Sequence, residues 1–282
     1  DHLGASDIAL LTKLLHSAYQ PLMLDGEVWE IIQRVFPKEV FNSISHFRTE
    51  IVGHKLVNDL VIKHYPGECT IKYNFIKNYV NRHDEVSTFE MNVGKSRLDI
   101  GRINGYSHAY EIKTELDSLE KLDKQILDYQ GVFDYIHVVI HNKHLDKVKE
   151  IVPSYCGIIS FRYDNKIDRW VFYTRQKACL HRNIEPIKQL KCLTSRELDI
   201  IIKKIRQNSN NLTREEKEQL ILRSLGSEKI NHLFKTLIKK RFQKRWAHLE
   251  KHFDSINPID LQMFFKTEAD PYWVYYKNSS IV

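Results

Sequence analysis

Within residues 95–129, KSRLDIGRINGYSHAYEIKTELDSLEKLDKQILDY, three side chains have the types and spacing to do chemistry: Asp99, Glu111 and Lys113. The stretch reads as two antiparallel strands followed by a helix. Side chains two apart on a strand share a face, so Glu111 and Lys113 project together while Tyr110 and Ile112 turn into a core. A hard divalent cation such as Mg2+ takes one or two carboxylates and completes its shell with water and phosphate oxygens. A lysine beside it orients a water and offsets charge on an attacked phosphorus. The chemistry this set implies is hydrolysis of a phosphodiester.

The geometry imposes a condition. Asn104-Gly105 signals a two-residue type I′ turn, which would pair Asp99 with Tyr110 and leave Glu111 on the opposite face. A shared site requires an odd-length loop, such as Ile103 to Gly105 with Gly105 left-handed, or a bulge that restores the register. An odd loop or a bulge is therefore expected.

In these residues the chain resembles the PD-(D/E)XK nuclease superfamily, whose pattern is an acid on one strand and then Asp or Glu, any residue, and Lys on the next. Leu98 stands where the superfamily name has proline. More narrowly, YEIKTELDSLEKLDKQILDYQGVFDYIHVVI looks like a prokaryotic branch of unassigned role. The resemblance implies an α/β (α+β) fold with a restriction-endonuclease-like αβββαβ core, and Mg2+ or Mn2+ as cofactor. It implies Asp99 and Glu111 as metal ligands and Lys113 as the residue that positions water. It also implies a further acid on a helix before the sheet, for which Glu50 is the candidate, and a polar residue on the helix after it, for which Gln125 is the candidate. A solvated helix face explains both of the latter as well.

The helices and strands that must position these residues can be read from periodicity. Ser6-Asp7 opens a helix carrying Leu11, Leu14 and Leu15; a short helix spans Val28 to Val35; a third runs from Ser43 to His64 and contains Glu50. The segment from Cys69 to Val80 is strand-like or helical. Val86 to Val93 alternates as a first core strand, and Gly94-Lys95 turns it into the Asp99 strand. Asp117 and Glu120 resemble a capping box for the next helix, whose Leu122, Ile126 and Tyr129 face the sheet. Tyr135 to Ile140 is a central strand, Leu145 to Ile151 a helix, and Ile158 to Tyr163 with Trp170 to Tyr173 a strand pair. From Arg182 the pattern turns helical, at Thr194 to Gln207, Thr213 to Leu225 and Ser227 to Phe253. Two domains are expected: 1–182, nuclease-like, and 183–282, a basic helical module.

Net charge of +7 suits a polyanionic partner. DNA is the expected one, with RNA open, and Lys239, Lys240, Lys244 and Arg245 are candidate phosphate contacts, against the bland reading of a solvated core-packing helix. No apolar run is long enough to cross a bilayer, and no signal peptide is visible. Four dispersed cysteines indicate neither a disulfide framework nor a zinc ribbon. A cytoplasmic protein is the default, and a homo-oligomer is compatible with it. Coincidental spacing accounts for the histidines, and no Walker A loop or GxGxxG fingerprint is present. The competing class is a module that binds nucleic acid or protein on a nuclease-like fold without cutting.

Overall fold

The computed structural model describes residues 4–205, 211–277 and 279. The chain is mixed α/β and divides into two compact units, one of Asp1–Asn81 with Ala247–Val282 and one of Arg82–Trp246. The helices after Arg182, expected as a module of their own, thus group with the sheet as far as Trp246 and with the N-terminal helices beyond it. Among the described residues, no helix is long and apolar enough to cross a membrane.

The first unit is helical, with helices Ala5–Ala18, Asp25–Val35, Lys38–Ile44, Gly53–His64 and Glu68–Ile76, joined late in the chain by Leu261–Thr267 and Pro271–Tyr276. Leu15, Val28, Trp29, Ile32, Val57 and Val61 form its core with Ile259 from the C-terminal segment. The continuous helix expected from Ser43 to His64 is broken. A 3-10 turn at Ser45–Thr49 ends it, and a new helix starts at Gly53. Gly53 is where the two helices close up: its N–H donates to Asp25 Oδ1 at 2.6 Å, and a Cβ there would lie 2.9 Å from Val28 Cγ1. Gly53→Ala is therefore expected to destabilise the chain by about 1–3 kcal/mol through overpacking. Gly26→Ala, with nothing within 4 Å, should be neutral or slightly stabilising. Urea unfolding of both variants checks the contrast, and equal midpoints would show that the close approach is not limiting.

The second unit holds a six-stranded sheet in the order β1-β2-β3-β4-β5-β6. The strands are β1 (Val86–Val93), β2 (Ser96–Ile103), β3 (Ser107–Lys113), β4 (Tyr135–His141), β5 (Gly157–Asp164) and β6 (Arg169–Gln176). The β3–β4 and β4–β5 pairs are parallel and the rest antiparallel. Parallel neighbours need a crossover, here Leu122–Tyr129 after β3 and Leu145–Ile151 after β4. Val138, Val139 and Ile140 are fully buried, as a central strand demands.

The later helices are Pro186–Lys191, Ser195–Lys204, Arg214–Ser224 and Ser227–His252. Thr213 and Glu216 form a capping box, as do Thr194 and Glu197. The long helix is tied to the start of β4 by Asp134, which is 3% exposed. One of its oxygens accepts from Ser107 N (2.7 Å), Ser107 Oγ (3.0 Å) and Lys235 Nζ (3.1 Å), and the other from Asn231 Nδ2 (3.1 Å).

Candidate functional site

The β2–β3 connection decides whether Asp99 and Glu111 share a face. Ile103 pairs with Ser107 and Ile100 with Tyr110, so the loop is the three residues Asn104, Gly105 and Tyr106, with Gly105 at φ +97°. The odd length expected is present, one residue later than Ile103 to Gly105. In this register Asp99 falls opposite Glu111, and Lys113 follows on the same face.

All three side chains are buried. Glu111 is the centre of the group. Its Oε1 accepts from Lys113 Nζ at 2.8 Å and from Gln125 Nε2, and its Oε2 accepts from Tyr129 OH at 2.6 Å. Asp99 Oδ2 accepts from the backbone N–H of Ile112 at 2.6 Å, which fastens β2 to β3 beside the site. Gln125 and Tyr129 come from the helix Leu122–Tyr129 and lie four residues apart, on one helix face. That helix starts later than the Asp117–Glu120 signal suggests, because Asp117 Oδ2 accepts from Thr114 N and Oγ1 and closes a turn of its own. At the helix's far end, Ser96 Oγ donates to Asp128 Oδ2 at 2.6 Å, and Gly94 (φ +60°) leaves room for that carboxylate.

Two residues near this group were not among the candidates. Tyr129 reads as a core aromatic, and it is one, yet burial and the adjacent Glu111 carboxylate push its phenol far above the ordinary range, so it stays a proton donor. Glu90 interrupts β1 with a left-handed φ of +57° and is ion-paired to Arg97. A carboxylate oxygen of Glu90 lies within 4.8 Å of one of Asp99. A non-glycine residue held at positive φ inside a strand is strained, and such strain collects at functional positions.

The other candidates are placed differently. Glu50 is exposed, at the end of the 3-10 turn in the helical unit, and not in the sheet unit that carries Asp99 and Glu111. In the basic helix, Lys235 and Lys239 meet Asp134 and Asp84, and Arg241 grips Glu197. Lys240 and Lys244 are exposed and Arg245 is half-buried, so the cations do not form one stripe.

The reverse face of the sheet carries a ring ladder. His137 stacks on Tyr110 (4.5 Å, 12°) and His108 on Tyr135 (4.9 Å, 12°). His108 Nε2 lies 3.2 Å from Asn104 Oδ1, so it donates there and its Nδ1 accepts from His137 Nε2 at 3.3 Å. Burial, reinforced by Arg102, pushes His108 down to about 3 and His137 to about 4. Both are neutral in the fold, so their contribution to stability is present above about pH 6.5 and is lost as pH falls from there toward 4. Asp260, pushed up to about 7 by burial, acts in the opposite sense, losing its contribution as pH rises from about 4 to 7. The readout is therefore a difference. His137→Phe, which keeps the stack, should lose less stability than wild type between pH 7 and 4.5, by more than about 1 kcal/mol. Parallel curves for the two proteins would contradict this.

With this geometry in hand, the chain can be set beside known proteins. The family whose model matches is described as bacteriophage P4 protein cII, and the match covers residues 64–264. The chain belongs to this family. It is similar to protein cII of Enterobacteria phage P4, 26% identical over 146 residues, which is 52% of this chain and 54% of that protein. The chain therefore spans about half the length of the curated relative it matches. No solved structure matches it. The stretch matched to the bacteriophage P4 protein cII family takes in all six strands, with Asp99, Glu111, Lys113, Gln125 and Tyr129, and leaves out Glu50.

Proposed function

We propose that the chain is a Mg2+- or Mn2+-dependent nuclease acting on DNA in the cytoplasm, its sheet unit built on the αβββαβ plan of the PD-(D/E)XK superfamily. The observation that carries this reading is the opposition of Asp99 and Glu111 across β2 and β3 with Lys113 on the same buried face. The donor set fits a hard cation, being carboxylate oxygen throughout. A second feature supports the fit: Gln125 Oε1, beside Glu111, is buried without a hydrogen-bond partner, and a water on the cation would supply the missing donor.

Asp99 and Glu111 would hold the ion, with Glu90 as a further acid from β1. Bound there, it supplies a nucleophile at neutral pH and polarises the phosphodiester. The chain's own groups do the rest. Lys113 orients the attacking water and stabilises charge developing on the phosphoryl oxygens. Tyr129, kept protonated, and Gln125 hold the Glu111 carboxylate in one orientation.

A second reading, a binding module that does not cut, is favoured by one observation: Lys113, Gln125 and Tyr129 give Glu111 three donors without an ion. Incubation with linear, circular and single-stranded DNA and with RNA, each with and without Mn2+, tests the first reading. Metal-dependent DNA cleavage is the expected result. DNA binding with no cleavage and no calorimetric Mn2+ uptake would leave only the second.

A further inference from the structure

The free edge of the sheet carries a patch that the catalytic reading does not use. Directly paired residues share a face of a sheet. Lys113 pairs with Ile140, Ile140 with Ser160, and Ser160 with Tyr173. Tyr173 on β6 therefore lies on the same face as Lys113, three strand spacings away, or roughly 14 Å. Arg162, two residues beyond Ser160 on β5, shares that face.

Arg175, two residues after Tyr173 on β6, shares that face as well. Ile159 pairs with Thr174 but Ile158 with Gln176, so Arg175 is the extra residue of a bulge. Its Nε donates to Ser160 Oγ at 2.7 Å. The guanidinium carbons of Arg175 and Arg162 lie 5.0 Å and 6.0 Å from the Tyr173 ring centroid. Tyr173 is nonetheless 38% exposed, and the Arg162 side chain 56%. From Gly157 to Lys177 the hairpin has five cations, Arg162, Lys166, Arg169, Arg175 and Lys177, against Asp164 and Asp168.

Charge on an edge strand can serve simply to prevent edge-to-edge pairing. That purpose does not call for an exposed tyrosine between two guanidinium groups. A cationic groove with an aromatic ring is what a flexible polyanion with stackable bases requires. A duplex keeps its base faces covered, whereas an unpaired strand offers them. We infer that the β5–β6 edge binds single-stranded DNA, stacking a base on Tyr173 and holding the flanking phosphates with Arg162 and Arg175. The choice of DNA rests on the nuclease reading; the stacking platform does not.

The test is fluorescence anisotropy of the full chain with a 5′-labelled oligothymidine in EDTA, where no cleavage can occur. Tyr173→Ala should weaken binding about tenfold or more, while Tyr173→Phe, which keeps the stacking face, should stay within about twofold of wild type. Arg162→Ala and Arg175→Ala should each weaken binding and lower the salt slope by about 0.7. All three positions of change are at the surface, and circular dichroism confirms that each variant is folded. Wild-type affinity in Tyr173→Ala, equal affinity for a duplex of the same length, or tighter binding of oligouridine would each overturn the inference. A wild-type chain that binds the oligothymidine through Tyr173 yet never cuts DNA with Mn2+ would sink the nuclease and leave the platform standing.

Discussion

Lys113→Met should lower Mn2+-dependent DNA cleavage by about two to four orders of magnitude, the range for removing a group that stabilises transition-state charge or moves its proton. Methionine keeps the buried stem of the side chain and removes only the ammonium. Glu111 retains Gln125 and Tyr129 as donors in the variant, so the fold should survive with a modest loss of stability. Asp99→Ala and Glu111→Ala should be as inactive, with an additional loss of Mn2+ uptake by calorimetry. The Tyr129→Phe change belongs to a different class: it touches no substrate and acts through Glu111, so its effect should appear as weaker Mn2+ affinity before loss of maximal rate. Lys113→Met cutting DNA at the wild-type rate would remove the catalytic assignment.

The second large effect concerns stability. Asp134→Ala takes one carboxylate from under Ser107, Asn231 and Lys235 at once, leaving a lysine ammonium, a serine and a backbone N–H with lost partners in a buried place. Removing one member of a buried ion pair typically costs about 3–5 kcal/mol. Lys235→Met should cost less, since Asp134 would keep three hydrogen bonds. Denaturant unfolding of the two variants measures the difference; a loss under about 1 kcal/mol for Asp134→Ala would mean that the helix Ser227–His252 is held to the sheet by its apolar face alone.

Local signals reported well on local structure. Period-two alternation located β1 from Val86 to Val93, the apolar run located β4, and the helical pattern located the helices that follow Thr194 and Thr213, because each depends on neighbours a few residues away. The paired carboxylates were legible for the same reason, once the hairpin loop was required to be odd; Asn104-Gly105 favours two residues, and the extra one, Tyr106, was settled by the register of the sheet. What escaped the sequence was set by partners distant in the chain. The break before Gly53 follows from its contact with Val28 and Asp25. Glu50 looked like a helix residue only while that helix was taken as continuous. Periodicity put Tyr129 on the sheet but not its hydroxyl on Glu111, and the left-handed backbone at Glu90 has no periodic signal. The grouping of 247–282 with the first helices is the extreme case, since nothing in a helical pattern says which distant core it will join.

The hydrogen bond from Tyr19 OH to Asp260 Oδ2 closes a separation of 241 residues. The sheet-bearing stretch from Arg82 to Trp246 is contiguous, and its contacts can form as soon as it has left the ribosome. The helical unit cannot finish: until residues beyond Ala247 emerge, Val28, Trp29 and Val57 lack the Ile259 side chain that completes their packing. These helices are thus made before the sheet and sealed after it, and their exposed apolar surface is the place where a chaperone, or a second nascent chain, would find something to hold.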